Sequence, residues 1–477
     1  MPSPAFISRI GSRIDAIARR TVPDPFVLAV LLTALTIALS VALTGTSLWD
    51  SIAYWSGAKV SPARLAANPK STNAGVWELL AFSMQMCMIL VTGYVLADSR
   101  PVRHALIRTC RVARGAKSAA FIVALVACSL GVVNWGLGLI AGAILARRMA
   151  DEFALRGIGV NRAVLAAAGY MGLLVWHGGL SGSAPLTMTR DAEIARVFAE
   201  GARPAAIPLS ETIGSPMNIF ITGGLIVIVP IVMALIAPTV GVGGARENVP
   251  GREPDDHRES LETAKEAKAL IPRLLEDTPI VNYLLAAMIL AWAVWYYQSG
   301  QRVMSLDLNA VCLTMLMLGL VAHGTPTSLM RSATNAAAGC AGILIQFPLY
   351  AGIMALMRES GLTAMMAEAM AGGAGERTLP LATFLSAAVV NLFVPSGGGQ
   401  WAIQGPIALH AASEVGVAPA KMVLAVAYGD QLTNMLQPFW ALPLLAITGV
   451  KAREIVGYTA MVMVVATVWV MVGLVVI

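Results

Sequence analysis

Charge is scarce in this chain. Only 13% of its 477 residues are Asp, Glu, Lys or Arg, about half of the ~25% typical of soluble domains. That excludes an ordinary water-facing surface. Long alternation of apolar and polar residues is missing too. A membrane β-barrel would need it over ~10 positions per strand, so a barrel is excluded. Cysteine is sparse, with five in all. Cys87, Cys128, Cys312 and Cys340 fall in apolar runs and Cys110 in a basic loop, with no CxxC and no Cys/His spacing. Neither a disulfide framework nor a bound metal cofactor is expected from them; they read as small packing residues. The net charge of +6 asks for no nucleic-acid partner, because in a membrane protein such an excess is orientation charge.

What the chain does contain is apolar length. Its residues are 57% hydrophobic and its mean hydropathy is +0.72. Phe26–Gly45, Gly214–Ala237 and Ile455–Ile477 approach or exceed the ~20 apolar residues that span a bilayer. The expected fold is an all-α polytopic membrane protein. The arginines before the first run imitate a signal peptide, but the run is long and no cleavage pattern closes it, so it reads as a retained span.

Basic clusters then set the topology. Arg9, Arg13, Arg19 and Arg20 precede the first span. Arg100, Arg103, Arg108, Arg111, Arg114 and Lys117 form a second group, Arg147, Arg148, Arg156 and Arg162 a third, and Arg246 to Arg273 a fourth. The positive-inside rule puts all four in the cytoplasm. Yet only 29 uncharged residues separate Lys117 from Arg147, too few for two full crossings of ~20 residues each. A re-entrant hairpin over 118–146 resolves this, with its turn near Val132–Gly138. A second hairpin is expected over 379–412. Its arms, Leu379–Val390 and Trp401–Ala412, are too short to cross, and its tip is "NLFVPSGGGQ". Full spans are expected at 26–45, 76–97, 159–179, 213–238, 278–297, 307–323, 337–357, 419–437 and 453–477. This scheme puts 23 of the 33 Lys and Arg inside and 10 outside, which supports a cytoplasmic N-terminus and a periplasmic C-terminus.

The two hairpins look alike. "VVNW" at Val132–Trp135 matches "VVNL" at Val389–Leu392, and "GYMGLLVWHGGLSGSAPL" at Gly169–Leu186 lies over "AYGDQLTNMLQPFWALPL" at Ala427–Leu444. Tyr170 then meets Tyr428 and Pro185 meets Pro443. Each time a hairpin precedes a span that breaks at polar residues. With opposite sidedness this is an inverted-topology repeat with two re-entrant hairpins and two broken helices, an arrangement that places a transporter's site at midplane. The first repeat covers 1–238: scaffold 1–117, hairpin and broken span 118–190, closing span 213–238. A polar cytoplasmic linker runs over 239–276. The second repeat covers 277–477: scaffold 277–357, hairpin and broken span 379–450, closing span 453–477.

Broken helices leave backbone groups that hydrocarbon cannot satisfy, so the breaks must line protein or water. Helix N-termini at a tip present N–H groups to an anion, and freed carbonyl and amide oxygens suit Na+. Candidate substrate-binding residues are Asn134, Trp135, Gly136, Ser181, Ser183, Asn391, Ser396, Gly397, Gly398, Gly399, Gln400 and Asn434. Candidate residues for a coupling cation are Asn134, Asn391, Asp430 and Thr433. Asp430 is the deep acid of the second half, able to bind Na+ or carry a proton; the plainer reading has it cap a broken helix. His177 reads more readily as structural. No Lys or Arg lies in the core spans, which disfavours a polyanionic substrate. Gly136 and Gly142 equally suit close helix packing.

"GVVNWGLGLIAGAI", "HGGLSGSAPL", "NLFVPSGGGQWAIQGP" and "GDQLTNMLQPFW" carry a resemblance to the short-chain fatty acid transporter family (AtoE type), grouped with the ion transporter superfamily. The similarity runs over nearly the whole chain. It implies uptake of short-chain fatty acids such as butyrate or acetoacetate across a bacterial inner membrane. It also implies an elevator-like transport domain, cation coupling by Na+ or H+, and a homodimer. One departure is informative. The divalent-anion symporters of the superfamily carry Ser-Asn-Thr at their tips, where this chain has Asn-Trp-Gly and Pro-Ser-Gly-Gly-Gly. That argues against a dicarboxylate and against carrying over their Na+ ligands. Two rival classes remain. An anion channel would share the midplane polar residues but needs a continuous pore. A rhomboid-like protease could use "GLSG" at Gly179–Gly182 with Ser181 and His323, if the two came within hydrogen-bond reach.

Overall fold

A computed structural model of the chain describes residues 23–198, 203–238, 269–298, 308–371 and 374–477. Every regular element among the described residues is helical. The first half holds α1 (Pro25–Thr44), α2 (Leu48–Ser56), α3 (Pro62–Ala67), α4 (Leu80–Asp98), α5 (Arg100–Val112) and α6 (Ala116–Val133). It continues with α7 (Trp135–Leu155), α8 (Arg162–Tyr170), α9 (Ser183–Thr187), α10 (Asp191–Val197) and α11 (Pro216–Ile236). The second half holds α12 (Leu270–Glu276), α13 (Ile280–Gln298), α14 (Leu308–His323), α15 (Pro326–Ala337), α16 (Ala341–Glu359) and α17 (Leu362–Ala371). It closes with α18 (Leu379–Asn391), α19 (Gly397–Val415), α20 (Pro419–Thr433), α21 (Pro438–Thr448) and α22 (Ala452–Val476).

Local chemistry sets the ends of these helices. The Asp24 carboxylate accepts from Phe26 N at 3.0 Å with Pro25 in the first turn, and Gly45 closes α1 at φ 68°. Ser215 does the same for α11, accepting from Asn218 N at 3.1 Å. Such caps satisfy donors that a helix start cannot satisfy itself.

Among the described residues, seven stretches are long and apolar enough to cross a membrane: Pro25–Thr44, Gly75–Asp98, Ala116–Val133, Arg162–Thr187, Pro216–Ile236, Pro326–Glu359 and Ala452–Val476; Leu270–Glu276 with Ile280–Trp295, bent by 41°, makes an eighth if it is one span. The chain is a multi-pass membrane protein. Burial divides these stretches sharply. Only 17% of the span at Pro25–Thr44 is buried, against 94% at Arg162–Thr187. The first faces its surroundings, with Leu31 and Leu35 exposed. The second is enclosed by protein, as a helix with broken backbone pairing has to be.

Glycines allow that enclosure. A Cβ on Gly142 would stand 2.2 Å from the Gly169 carbonyl oxygen, and one on Gly131 2.5 Å from that of Gly172. The backbone of α7 is therefore in direct contact with α8, and that of α6 with the 3-10 turn Met171–Leu174 that follows α8, the close approach that small residues permit between membrane helices. In the second half a Cβ on Gly429 would stand 2.2 Å from the Phe384 carbonyl, so α20 lies equally close to α18.

Hairpin followed by broken span occurs twice: α6–α7 then α8–α9, and α18–α19 then α20–α21. Several details differ from the sequence-based expectation. The first hairpin does turn at Asn134, but α6 has 18 residues, about 27 Å at 1.5 Å per residue. That is long enough to cross rather than reach part-way. Its partner α7 does not stop at the charges but runs on to Leu155. Arg147 donates to the Ile447 carbonyl at 3.1 Å, and Arg148 lies 3.5 Å from Asp98. In the second hairpin the glycine run is not the tip. Gly397, Gly398, Gly399 and Gln400 form the first turn of α19, and residues 392–396 form the tip. Ser396 makes this possible by capping the turn, its Oγ accepting from Gly399 N at 3.2 Å.

The first broken span breaks earlier than expected. Two 3-10 turns, Met171–Leu174 and Trp176–Gly178, follow α8 directly. The span expected at 307–323 is α14, with 16 residues, short of the ~20 that cross a bilayer. The span expected at 337–357 is longer, running from Pro326 to Glu359 through a 3-10 turn at Ala338–Cys340. The arginines at 9, 13, 19 and 20 and the linker up to residue 268 lie outside the described residues.

Candidate functional site

The end of α18 meets the break between α20 and α21. Asn391, fully buried, turns its amide on that break. Its Nδ2 donates to the Asp430 carbonyl (2.7 Å), Thr433 Oγ1 (3.0 Å) and Asn434 Oδ1 (3.0 Å). Thr433 Oγ1 in turn donates to the Ala388 carbonyl at 2.8 Å. The Gln437 amide closes the loop by donating to the Asn391 carbonyl. Side-chain amides thus occupy the backbone groups that both helix ends release.

These same side chains keep bonding capacity unspent. Asn391 Oδ1, Asp430 Oδ2, Gln431 Nε2, Asn434 Nδ2 and Gln437 Oε1 are buried with no protein partner. Buried polar atoms are nearly always bonded, and leaving one unmet costs about 1–3 kcal/mol. All five belong to Asn391 and to the 430–437 segment that it bonds. The N–H groups of Gly397 and Gly398, at the start of α19, likewise have no partner in the protein. Donors and acceptors therefore both face the tip, able to receive a small anion and a small cation.

The first half completes this surface. His177 N donates to Gln431 Oε1 at 3.0 Å, and His177 Nε2 lies 3.4 Å from Asp430 Oδ1, with both side chains almost fully buried. A Cβ on Gly397 would stand 2.4 Å from His177 Nε2 and 2.9 Å from the Trp176 ring, so glycine is required where α19 begins. The two tyrosines that the repeat aligns buttress opposite breaks. Tyr170 Oη donates to the Asn434 carbonyl at 2.9 Å and to that of Gln437 at 3.3 Å. Tyr428 Oη donates to Asn218 Oδ1 at 2.9 Å, while Asn218 Nδ2 donates to the Gly178 carbonyl at 2.9 Å.

The first hairpin's tip is put together differently. Asn134 caps α7, its Oδ1 accepting from Leu137 N at 3.0 Å. Ser181 Oγ accepts from Trp135 N at 3.0 Å, and Leu180 N donates to the Val132 carbonyl at 2.7 Å. Gly136 sits against Ile89, with room for a Cβ at 3.1 Å only if Ile89 gives way. Ser183 is half-buried at the start of α9. These candidates mostly satisfy one another. Around the second tip, Gly398 is exposed with open space beside it, and Gly399 lies near Met354. Gln400 is turned into its own hairpin, where Nε2 donates to the Ala387 carbonyl (2.8 Å) and Gln404 Oε1 (2.7 Å).

Sequence reasoning passed over Gln431, Gln437, Asn218, Trp176 and Trp440. The first three were detectable as polar residues inside apolar spans, which merit attention by default. The tryptophans gave no such signal. Ser181 and His323 do not form the protease pair. The serine accepts from Trp135 N, whereas the His323 ring bonds the Val95 carbonyl (2.7 Å) and Ser328 Oγ (3.0 Å).

The family model described as "Short chain fatty acid transporter" matches residues 6–477. A protein of Escherichia coli, provisionally named a short-chain fatty acid transporter, is 36% identical over 454 residues, 95% of this chain and 96% of its own. A Haemophilus influenzae protein with the same provisional name is 34% identical over 457 residues, again 95% and 96%. Among solved structures, the YdaH transporter of Alcanivorax borkumensis aligns over 95% of this chain and 97% of its own, at 16% identity and a TM-score of 0.39. MtrF of Neisseria gonorrhoeae, of a class of antimetabolite efflux pumps, aligns over 96% and 94%, at 15% identity and a TM-score of 0.31. Overlaps this loose carry no site geometry across.

Proposed function

The chain belongs to the short-chain fatty acid transporter family, and from that premise we propose that it is a secondary active transporter of small monocarboxylates, butyrate or acetoacetate among them. The observation that supports this reading is the set of buried, unspent polar atoms where the second hairpin's tip meets both broken spans. The substrate carboxylate is received by the N–H groups of Gly397 and Gly398, which supply donors and a helix N-terminus without a fixed cation. That suits a single negative charge released again on the far side, whereas a buried Arg would hold it too well.

Asp430 and the Asn391 amide oxygen serve the coupling cation, Na+ or H+. Thr433 contributes by position, since its hydroxyl already bridges α18 and α20. Asn134, Gly136 and the Trp135 backbone act from the first hairpin, and Ser181 from the first broken span, by holding that tip in place. Transport proceeds by elevator-type movement of the two hairpins and broken spans as one unit against α1, α4, α16 and the closing spans, in a homodimer. The protein sits in a bacterial inner membrane with its N-terminus in the cytoplasm and its C-terminus in the periplasm. Basic α5, with Arg100, Arg103, Arg108 and Arg111, lies on the cytoplasmic side in that orientation.

The deciding experiment is uptake of labelled butyrate by proteoliposomes under separate Na+ and pH gradients. Saturable uptake driven by one of the gradients is expected. Uptake that neither saturates nor responds to either gradient would point to a channel and refute the proposal.

A further inference from the structure

A short-chain acid is half carboxylate and half alkyl tail, and a site for it needs both a polar and an apolar surface. The polar surface lies at the start of α19. Directly against it stands an aromatic cluster that neither the repeat nor the polar site explains. Gly397 approaches the Trp176 ring so closely that a Cβ there would be 2.9 Å away. The Trp176 ring centroid lies 6.3 Å from those of Trp135 and Trp440, and these two are 5.1 Å apart. Behind them, Phe82 lies 5.8 Å from Trp440 and Phe439 lies 5.1 Å from it.

The contributors to this cluster come from four different elements. Trp135 belongs to the first hairpin, Trp176 to the first broken span, Trp440 to the second broken span and Phe82 to α4. A plain core cluster would be served by phenylalanine. Trp176 instead carries an indole N–H that is buried without an acceptor, although buried tryptophans usually find one.

Resting on the transport reading above, the geometry points to Trp176, Trp135 and Trp440 as the wall against which the substrate's tail lies, with Trp440 limiting the tail length accepted. The carboxylate sits at Gly397 and Gly398, the first carbons run along Trp176, and the chain ends against the Trp135–Trp440 pair. The Trp176 N–H is left for an oxygen of the substrate.

The test is a substrate series. Saturation curves for labelled acetate, butyrate, hexanoate and octanoate are measured in proteoliposomes for the full-length protein and for Trp440→Leu, Trp440→Phe and Trp176→Phe. Each newly accommodated methylene is worth about fourfold in half-saturation, from ~0.8 kcal/mol per buried CH2. Trp440→Leu is therefore expected to raise the hexanoate preference over acetate by roughly 15-fold, for two methylenes. Trp440→Phe, a milder change that guards against misfolding, is expected to shift it by about fourfold. Trp176→Phe keeps a ring but loses the N–H, so it should weaken all four acids alike. If both Trp440 variants scale every acid equally, the cluster is structural and the inference fails. An unchanged half-saturation in Trp176→Phe removes the N–H from the site. A wild-type protein that carries none of the acids overturns the transport reading itself, a result distinct from either.

Discussion

The two hairpin tips descend from similar stretches, yet they are finished in opposite ways. At the first, most polar groups close on a neighbour: Asn134 on Leu137 N, Ser181 on Trp135 N, and Val132 on Leu180 N. At the second, Asn391 spends its Nδ2 on three acceptors and leaves Oδ1 unpaired, while Asp430, Gln431, Asn434 and Gln437 each keep an unpaired atom. The arms differ too. Those of the first hairpin lock together at Gly138, where an added Cβ would stand 2.5 Å from the Gly131 Cα. In the second, α18 packs closely on α20 through Gly429. One tip is polar-satisfied and the other holds bonding capacity in reserve, so the proposed transport reading gives the carboxylate and the cation to the second, and leaves the first to hold its own tip and present the Trp135 ring.

Substitutions can break or sharpen this asymmetry. The largest effect is expected at Gly397→Ala. Its methyl would meet His177 Nε2 at 2.4 Å, and relieving an overlap of that kind costs up to ~3 kcal/mol, about 100-fold in uptake. Near-normal butyrate uptake in that variant would show that α19 does not begin where the two halves meet.

Asp430→Asn keeps the shape and removes the titratable oxygen. Gradient-driven uptake should fall by at least about tenfold, or 1.4 kcal/mol, with normal expression. Unchanged coupling ratios would remove Asp430 from the mechanism. Gly398→Val comes next. The space beside Gly398 is open, so the fold tolerates the side chain, but the isopropyl group crowds the N–H that receives the carboxylate. A rise of about tenfold in half-saturation is expected, and an unaltered value would mean that the tip does not face the ligand.

The smallest functional effect belongs to the sealed tip. Asn134→Ala removes a helix cap worth ~1 kcal/mol, so the protein should melt at a lower temperature while half-saturation stays within about twofold. A large rise in half-saturation at unchanged melting temperature would place Asn134 in the binding surface after all and erase the distinction between the tips.

Much of the frame was legible beforehand. Low charge and long apolar runs settled the solvent. The matched "VVNW" and "VVNL" located both hairpin ends, since Asn134 and Asn391 do stand where the first arms stop. Where reasoning failed, the cause was a contact with a remote residue. Gly397 to Gly399 look like breakers in isolation, but with Ser396 as cap they make a helical first turn pressed against His177. Arg147 looks like the end of an arm, but the Ile447 carbonyl accepts a hydrogen bond from it and the helix continues. Gln400 looks like a free amide, but Ala387 and Gln404 claim its Nε2 and only Oε1 stays unpaired.

Sequence by itself therefore determined that this chain is a many-helix membrane protein and which segments hold its broken helices, though not the residue at which each one breaks. Transfer into hydrocarbon depends on composition, and helix breaking depends on the residue at the spot. Which polar atoms remain unspent at those breaks was decided by tertiary structure alone. Satisfaction of a buried donor or acceptor depends on partners far away in the chain, as when Tyr170 bonds the Asn434 carbonyl or His177 N bonds Gln431, and no local stretch of residues encodes that pairing.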